Sequence, residues 1–231
     1  MSLHITLSPA LSRTVRMFDN PNHRSQLLAM GLRPDTLFGC VLHFLFAPSP
    51  TLLNGFETQV AALAQPKVLK IGIQIRMGDN HIFDNPDNTQ LMADRRAWFD
   101  CAQRIEDDFR ADGQEVIWYL ITDSSNLRTL ALAEYGNKLV SRTDLRVTHI
   151  GKERSDNRPP VAGFVAAFAE MYLFAFADYH VISANSGYGK LGAMWSLKPN
   201  TMYSVEGGRP CGRGQFDSLY NLAGSWSGAK L

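Results

Sequence analysis

IGIQIR, the stretch at residues 71–76, decides the fold because it has the pattern of a buried β-strand that ends in an arginine. Isoleucines alternate with Gly72 and Gln74, and this period of two is typical of a strand. Arg76 follows where the strand meets a loop, and ligands of open α/β sheets bind outside such carboxyl ends. Its guanidinium offers a fixed fork of donors that matches phosphate oxygens, so Arg76 is a candidate diphosphate contact. An ion pair with a carboxylate beside the sheet is the alternative.

The rest of the chain alternates between strand and helix patterns outward from this strand, which spans residues 68–75. Residues 116–121, VIWYLI, form a continuous apolar run of the kind found in strands that are buried on both faces. Further strands are predicted at 138–141, 146–150, 179–183 and 201–205, and helices at 93–111, 126–135, 163–178 and 187–197. This alternation predicts an α/β domain over residues 66–231, with a parallel sheet flanked by helices.

Hydrophobic patterning also predicts which parts of the helices are buried. In helix 93–111 one face carries Trp98, Ala102, Ile105 and Phe109. Helix 163–178 is apolar almost all round, so we expect it to be buried. Residues 151–160 have the composition of a loop. Residues 1–65 are less regular, and we expect an irregular helical arm or the remnant of a partner domain, with helices near 24–30, 36–46 and 52–63.

Composition and charge narrow the class of protein. The 231 residues carry a formal net charge of +1 and are 45% hydrophobic, and the basic residues are scattered along the chain. We therefore expect a globular protein with a real core, and nucleic acid is not expected as its main partner. No run approaches the roughly 18 apolar residues of a membrane span, and no signal peptide is evident, so a soluble chain is expected.

Cysteine and acidic residues give no sign of a metal site. Cys40, Cys101 and Cys211 are too few for a disulfide framework or a zinc site, and their odd number leaves at least one thiol free or paired with another chain. Cys101 lies on a predicted helix without an obvious histidine partner, so it is not expected to be a nucleophile. The oxygen-rich stretch 79–88 lacks the spacing and the glycine of a calcium loop. No metal is therefore expected.

A second candidate site is the stretch SANSGYGKLG at residues 183–192, which joins a predicted strand to a predicted helix. Unpaired backbone amides at a helix N-terminus bind phosphate readily. The Walker pattern fails at Ala184 and Leu191. The dinucleotide fingerprint GxGxxG matches at Gly187, Gly189 and Gly192. Glu206 ends the next predicted strand, where an acidic residue would bind ribose. A glycine-rich turn that only lets the helix pack on the strand is the alternative.

Two further polar residues stand in apolar surroundings. Glu170 lies in the apolar helix, where a buried carboxylate must be paired. Two adjacent donors on a guanine base would satisfy it, and so would a salt bridge to a basic side chain such as Arg76. Thr122 ends the second strand together with Asp123 and Ser124. These residues could touch a ligand, and capping of the next helix explains them as well.

Several of these stretches resemble motifs of the plant xyloglucan α1,2-fucosyltransferase family. Residues 71–76 resemble its first motif, including the glutamine where protein and core fucosyltransferases carry histidine. Four other stretches resemble its later motifs in the same order, namely AEMYL at 169–173, VISANSGYG at 181–189, LKP at 197–199 and PCGR at 210–213. The likeness covers roughly residues 32–213.

The resemblance implies the Rossmann-like, nucleotide-binding half of a B-type glycosyltransferase fold, and a remnant of the acceptor domain in residues 1–65. It implies that Arg76 contacts the diphosphate of GDP-fucose and acts in catalysis with Gln74, which would sit near the leaving group. Glu170 would read guanine, while Thr122 is a candidate nucleotide contact only from its place at the end of the second strand. Ser186, Gly187 and Tyr188 would line the phosphate and the sugar. Two positions depart from the family, since Asn185 replaces a tryptophan and Gly187 a threonine.

Three functional hypotheses follow. The first is transfer of L-fucose from GDP-fucose to a glycan hydroxyl with inversion, without metal or other cofactor and, by resemblance, in the Golgi. The second is a non-catalytic module that binds GDP or a GDP-sugar. The third is an NAD-dependent oxidoreductase, which depends on the glycine fingerprint at 187–192 and on Glu206.

Overall fold

The structure is a computed structural model that describes residues 16–78, 88–145, 161–206, 211–212 and 217. The predicted strand at 146–150, the predicted loop at 151–160 and nearly all of the oxygen-rich stretch 79–88 lie outside the described residues. The helices are α1 Pro21–Ala29, α2 Leu37–Leu45, α3 Glu57–Leu63, α4 Asn88–Asp94, α5 Arg96–Phe109, α6 Ser125–Tyr135, α7 Val161–Phe174 and α8 Gly187–Trp195. The strands are β1 Leu69–Ile75, β2 Val116–Thr122, β3 Leu139–Val140, β4 Tyr179–Ser183 and β5 Met202–Val205.

The strands form one parallel sheet of five, in the spatial order β3-β2-β1-β4-β5. β1 is the central strand, and it pairs with β2 from Leu69↔Val116 to Ile75↔Thr122. On its other side it pairs with β4, with Gln74 opposite Ile182. The predicted α/β fold with a parallel, helix-flanked sheet is confirmed, and its strand bounds lie within two residues of the predicted ones.

Two apolar layers cover the two faces of the sheet. On one face the isoleucines of β1 pack with side chains of α5 and α6, among them Phe99, Ile105 and Leu127. On the other face Tyr119 and Ile121 of β2 pack with α7 and α8. The connections that leave β1 and β2 therefore lie on one face, and the connection that leaves β4 lies on the opposite face. The crossover direction changes between β1 and β4, which makes their carboxyl ends the topological switch point of the sheet.

The second layer also contains residues from the N-terminal region. Phe38, Leu52, Phe56 and Leu63 are buried there against the helices and strands of the domain. Helix α1, by contrast, has no buried residue. The helices predicted near 24–30, 36–46 and 52–63 correspond to α1, α2 and α3, while the interpretation of residues 1–65 as an arm or a domain remnant stays a prediction.

The expectation that helix 163–178 is buried throughout is wrong for its first two turns. Phe164 is 51% and Val165 is 40% exposed, whereas the last turns of α7 are buried against the sheet. An all-apolar composition predicts burial of the whole helix, but only its C-terminal part reaches the sheet. The expected inner face of α5 is confirmed at Trp98, Ala102 and Ile105, while Phe109 is half-exposed and stacks on Tyr179.

A disulfide joins Cys101 of α5 to Cys211, with 5.3 Å between their Cα atoms, and leaves Cys40 as a free thiol. The same segment is held by Arg104, whose Nη1 donates to the carbonyl of Cys211. Disulfides are typical of proteins that fold in oxidising compartments. The bond explains why Cys101 is buried on a helix without a histidine partner. Over the described parts of the chain, no helix has the length and apolar character needed to cross a membrane.

Candidate functional site

The loops that follow β1 and β4 begin side by side at the switch point. The backbone N–H of Arg76, the first residue after β1, donates to Ser183 Oγ at the end of β4 over 2.9 Å. The crevice outside such a switch point is where open α/β sheets bind their ligands. The structure thus brings together the two segments that the sequence singled out, the end of strand 71–76 and the turn at 183–188.

The side chain of Arg76 extends toward the end of β2. Its Nη1 lies 2.6 Å from Asp123 Oδ2, and the two side chains are 40% and 10% exposed. The ion pair that the sequence left open as the alternative is therefore present. Asp123 also accepts from the backbone N–H groups of Met77 and Gly78, at 2.7 and 3.2 Å. Gly78 has a φ of 101°, a backbone conformation that favours glycine.

The turn after β4 leads directly into helix α8. Ser186 is its N-cap, is buried, and accepts from the Gly189 N–H through Oγ at 3.2 Å. Gly187 is the first helical residue, so the first amides of α8 lie at the carboxyl edge of the sheet. The hydroxyl of Tyr188 donates to the Ala167 carbonyl of α7 at 2.5 Å. Tyr188 therefore ties α8 to α7, and its predicted role beside the phosphate and sugar stays a prediction.

Gln74 supports this turn from within the protein. It is only 2% exposed, and its Oε1 accepts from the Ser183 N–H at 3.3 Å. A Cβ at Gly189 would lie 2.3 Å from that oxygen, and a Cβ at Gly192 would lie 2.9 Å from the ring of Phe174. The glycines at these two positions thus allow close packing, which was the alternative to a dinucleotide fingerprint. Because Gln74 is buried beneath the turn, its predicted catalytic role stays a prediction.

Glu170 is paired in a salt bridge, and the partner is Arg128 of α6, not the suggested Arg76. Arg128 Nη1 donates to Glu170 Oε1, and Nη2 donates to Oε2 at 2.9 Å. Arg128 is 1% exposed and also donates to two backbone carbonyls, that of Thr122 at 2.5 Å and that of Arg142 at 3.1 Å. Both oxygens of the carboxylate are engaged, and its predicted contact with guanine stays a prediction.

Two tyrosines lie close to this buried pair. Burial raises the pKa of Tyr119 and of Tyr188 well above the ordinary value, and the negative charge of Glu170 raises both further. The hydroxyl of Tyr119 has no hydrogen-bond partner among the described residues. Both hydroxyls therefore remain protonated at neutral pH.

Two residues connect the parts of this site: the sequence pointed to Asp123 only as a possible ligand contact or helix cap, and it did not single out Arg128. Asp123 follows β2 directly, just as Arg76 follows β1. This equivalent position at the ends of neighbouring strands was the sequence signal that could have predicted their contact. Arg128 lies one turn into α6, next to the buried Leu127, and it is itself buried although it is charged. The predicted Thr122 is buried, and its Oγ1 accepts from the Ser124 N–H at 3.3 Å, while Ser124 caps α6 through Leu127. Within the described residues, no cluster of three His, Cys, Asp or Glu side chains could hold a metal ion.

Comparisons with known proteins relate this fold to a solved structure. No family model matches the chain, and no curated protein sequence matches it. An arginine-to-lysine mutant of FUT1 from Arabidopsis thaliana in complex with GDP is similar, with a TM-score of 0.55 and 19% sequence identity. The likeness covers 86% of this chain and 44% of that one, so this chain spans less than half the length of its structural neighbour. At this identity the likeness shows a shared, fucosyltransferase-like fold, and membership of the plant xyloglucan family stays a prediction.

Proposed function

We propose that this chain binds a GDP-sugar in the crevice between β1 and β4, as a glycosyltransferase-like protein. The observation that carries the proposal is the hydrogen bond from the Arg76 backbone N–H to Ser183 Oγ, which joins the start of the loop after β1 to the end of β4 at the switch point of the sheet. A guanidinium and the first amides of a helix are both suited to a diphosphate. A GDP complex of a protein with this fold supports the choice of nucleotide.

The finer proposal is transfer of L-fucose to a hydroxyl of a glycan acceptor. The acceptor hydroxyl attacks the anomeric carbon and releases its proton to the solvent, the bond from that carbon to the β-phosphate oxygen breaks with its electron pair going to GDP, and the configuration inverts. The departing GDP gains negative charge on its β-phosphate. Arg76 and the first amides of α8, beginning at Gly187, would stabilise that charge, since the Ser186 N–H already donates to the Ser183 carbonyl. Each donor of this kind is worth on the order of 3 kcal/mol. This chemistry requires no metal.

Glu170 is the proposed guanine contact, and its geometry limits how that contact could form. Arg128 occupies one acceptor site on each carboxylate oxygen, but a carboxylate has about four lone-pair sites. A guanine would have to use the lone pairs that Arg128 leaves. The Glu170→Gln variant tests this role, because it should weaken GDP binding more than binding of ADP if the carboxylate recognises the base.

Binding of GDP to the purified chain tests the proposed site. Titration calorimetry with GDP should show saturable binding that Arg76→Ala weakens by about tenfold or more, since a charge-assisted hydrogen bond is lost. Arg96→Ala is a matched control, because Arg96 is also an exposed, ion-paired arginine but lies on α5 with Asp100 and Glu134 as partners. Equal affinities for the Arg76 and Arg96 variants, or no binding of GDP by the wild type, would refute the assignment.

A second candidate function is a GDP-sugar binding module without turnover. The observation that favours it is the burial of Gln74, the predicted catalytic residue, beneath the turn that follows β4. A transfer assay with GDP-fucose and a glycan acceptor separates the two candidates, since the module binds the donor and transfers nothing. The oxidoreductase hypothesis loses part of its support, because Gly189, the glycine that a dinucleotide fingerprint needs for close approach of the pyrophosphate, packs against Gln74. Thermal stabilisation by NAD and not by GDP would reinstate it.

A Golgi location is part of the same proposal. The disulfide between Cys101 and Cys211 supports an oxidising compartment, of which the Golgi lumen is one. Colocalisation of the tagged protein with a Golgi marker is the direct test, and a location confined to the cytosol would contradict it.

A further inference from the structure

One carboxylate accepts hydrogen bonds from the first three residues of the loop that follows β1. Asp123 is the first residue after β2 and accepts from three donors of that loop, namely Arg76 Nη1 at 2.6 Å, the Met77 N–H at 2.7 Å and the Gly78 N–H at 3.2 Å. The register explains why they meet. Ile75 pairs with Thr122, so residues 76 and 123 leave adjacent parallel strands at the same level.

Asp123 is itself held in place through the residues before and after it. The carbonyl of Thr122, the residue before it, accepts from Arg128 Nη2, and Arg128 is fixed by its two bonds to Glu170. Ser124, the residue after it, caps α6. The Asp123 side chain is 10% exposed. A carboxylate that is supported on both sides in this way is preorganised, and it fixes the positions of the groups that donate hydrogen bonds to it.

We propose that Asp123 is the positioning residue of the anion-binding site: it orients the Arg76 guanidinium and shapes the loop at 76–78 beside Ser183. This inference rests on the proposed function, because it supposes that the crevice binds a diphosphate. Asp123 acts through Arg76 and does not itself contact the ligand. Under this proposal, the ion pair between Asp123 and Arg76 assists the binding of phosphate by Arg76 instead of opposing it.

The alternative role for Asp123 is simple competition. A carboxylate 2.6 Å from the guanidinium carries the same sign of charge as a phosphate and competes with it for the same donors. Competition predicts that removal of the charge makes GDP bind more tightly. Positioning predicts weaker binding, because Arg76 and the two amides lose their common acceptor. The two roles therefore predict opposite changes in affinity.

The experiment measures the affinities for GDP and for guanosine in three variants. Asp123→Asn removes the charge at constant size, and Asp123→Glu keeps the charge but moves the carboxylate by one methylene. Asp100→Asn is the matched control, since Asp100 is an exposed carboxylate of α5 paired with Arg96. We expect both Asp123 variants to bind GDP about tenfold more weakly and guanosine within about twofold of the wild type, because only GDP has the phosphates that Arg76 would contact. The control should bind both as the wild type does.

Each other outcome has a defined meaning. Unchanged or tighter binding of GDP by Asp123→Asn overturns the inference, and so does an equal loss for guanosine, which indicates a general structural defect. Failure of both Asp123 variants to fold overturns it too, because Asp123 would then serve the fold and not the site. In the Arg76→Ala background, Asp123→Asn should cause little further loss. If the wild type itself does not bind GDP, it is the proposed function that fails.

Discussion

Breaking the buried pair between Arg128 and Glu170 should destabilise this protein more than any change on its surface. The two side chains are 2% and 8% exposed, and two of the hydrogen bonds of Arg128 hold Glu170. The Arg128→Met variant leaves a buried carboxylate without its partner. Removal of one partner from such a pair costs about 3–5 kcal/mol in the free energy of unfolding. The carbonyls of Thr122 and Arg142 also lose their donor, which favours the upper end of that range.

The double variant Arg128→Met with Glu170→Leu separates lost charge pairing from lost packing. It removes both charges together, and replacement of a buried pair by apolar residues of similar volume is often close to neutral. We therefore expect the double variant to be more stable than Arg128→Met alone by about 2 kcal/mol or more. Neighbouring residues that interact give such non-additive changes.

Urea unfolding followed by circular dichroism measures these free energies. Arg96→Met is the control, because Arg96 belongs to an exposed pair with Asp100 and Glu134 and should cost less than about 1 kcal/mol. A loss below about 1 kcal/mol for Arg128→Met would refute the reasoning. A double variant no more stable than the single one would also refute it, since the cost would then come from packing and not from an unpaired charge.

Three further predictions concern the turn after β4, a buried histidine and the disulfide. Gly189→Ala should cost about 1–3 kcal/mol in urea unfolding, because its Cβ would lie 2.3 Å from Gln74 Oε1, and Gln74→Ala in the same chain should relieve part of the loss; a neutral Gly189→Ala would contradict the packing. Burial, assisted by the positive charge of Lys198, lowers the pKa of His180 to about 3, so this ring is neutral in the folded state while the unfolded chain takes up a proton below a pH of about 6.5. Stability should therefore fall by about 1.4 kcal/mol per pH unit from His180 alone as the pH decreases from 6.5 toward 3, and His180→Gln should have a flatter profile; parallel profiles would refute this origin. Reduction of the disulfide between Cys101 and Cys211, which are 110 residues apart, should cost about 4 kcal/mol and lower the urea midpoint, whereas an unchanged midpoint under reducing conditions would contradict a stabilising role.

Much of the fold was predictable because local patterns depend on residues that are close in the sequence. The alternation in residues 71–76 and the continuous apolar run at 116–121 predict β1 and β2 to within two residues. The short polar segments after the strands predict where the carboxyl edge of the sheet lies. The first turns of α7 were not predictable in the same way, because an apolar residue is buried only where another element covers it.

The amino-acid sequence by itself determined the α/β class and the parallel sheet. It also determined that Arg76 and the turn at 183–188 each follow the end of a strand. Periodicity and strand ends are local properties, so they can be derived from one segment at a time. Only the tertiary structure decided the partners: Asp123 for Arg76, Arg128 for Glu170, and Gln74 for Gly189. Each of these pairs joins residues that are more than 40 positions apart, and a charge carries no information about which opposite charge will face it. That choice depends on strand order and helix packing, which place distant side chains at the same level of the sheet.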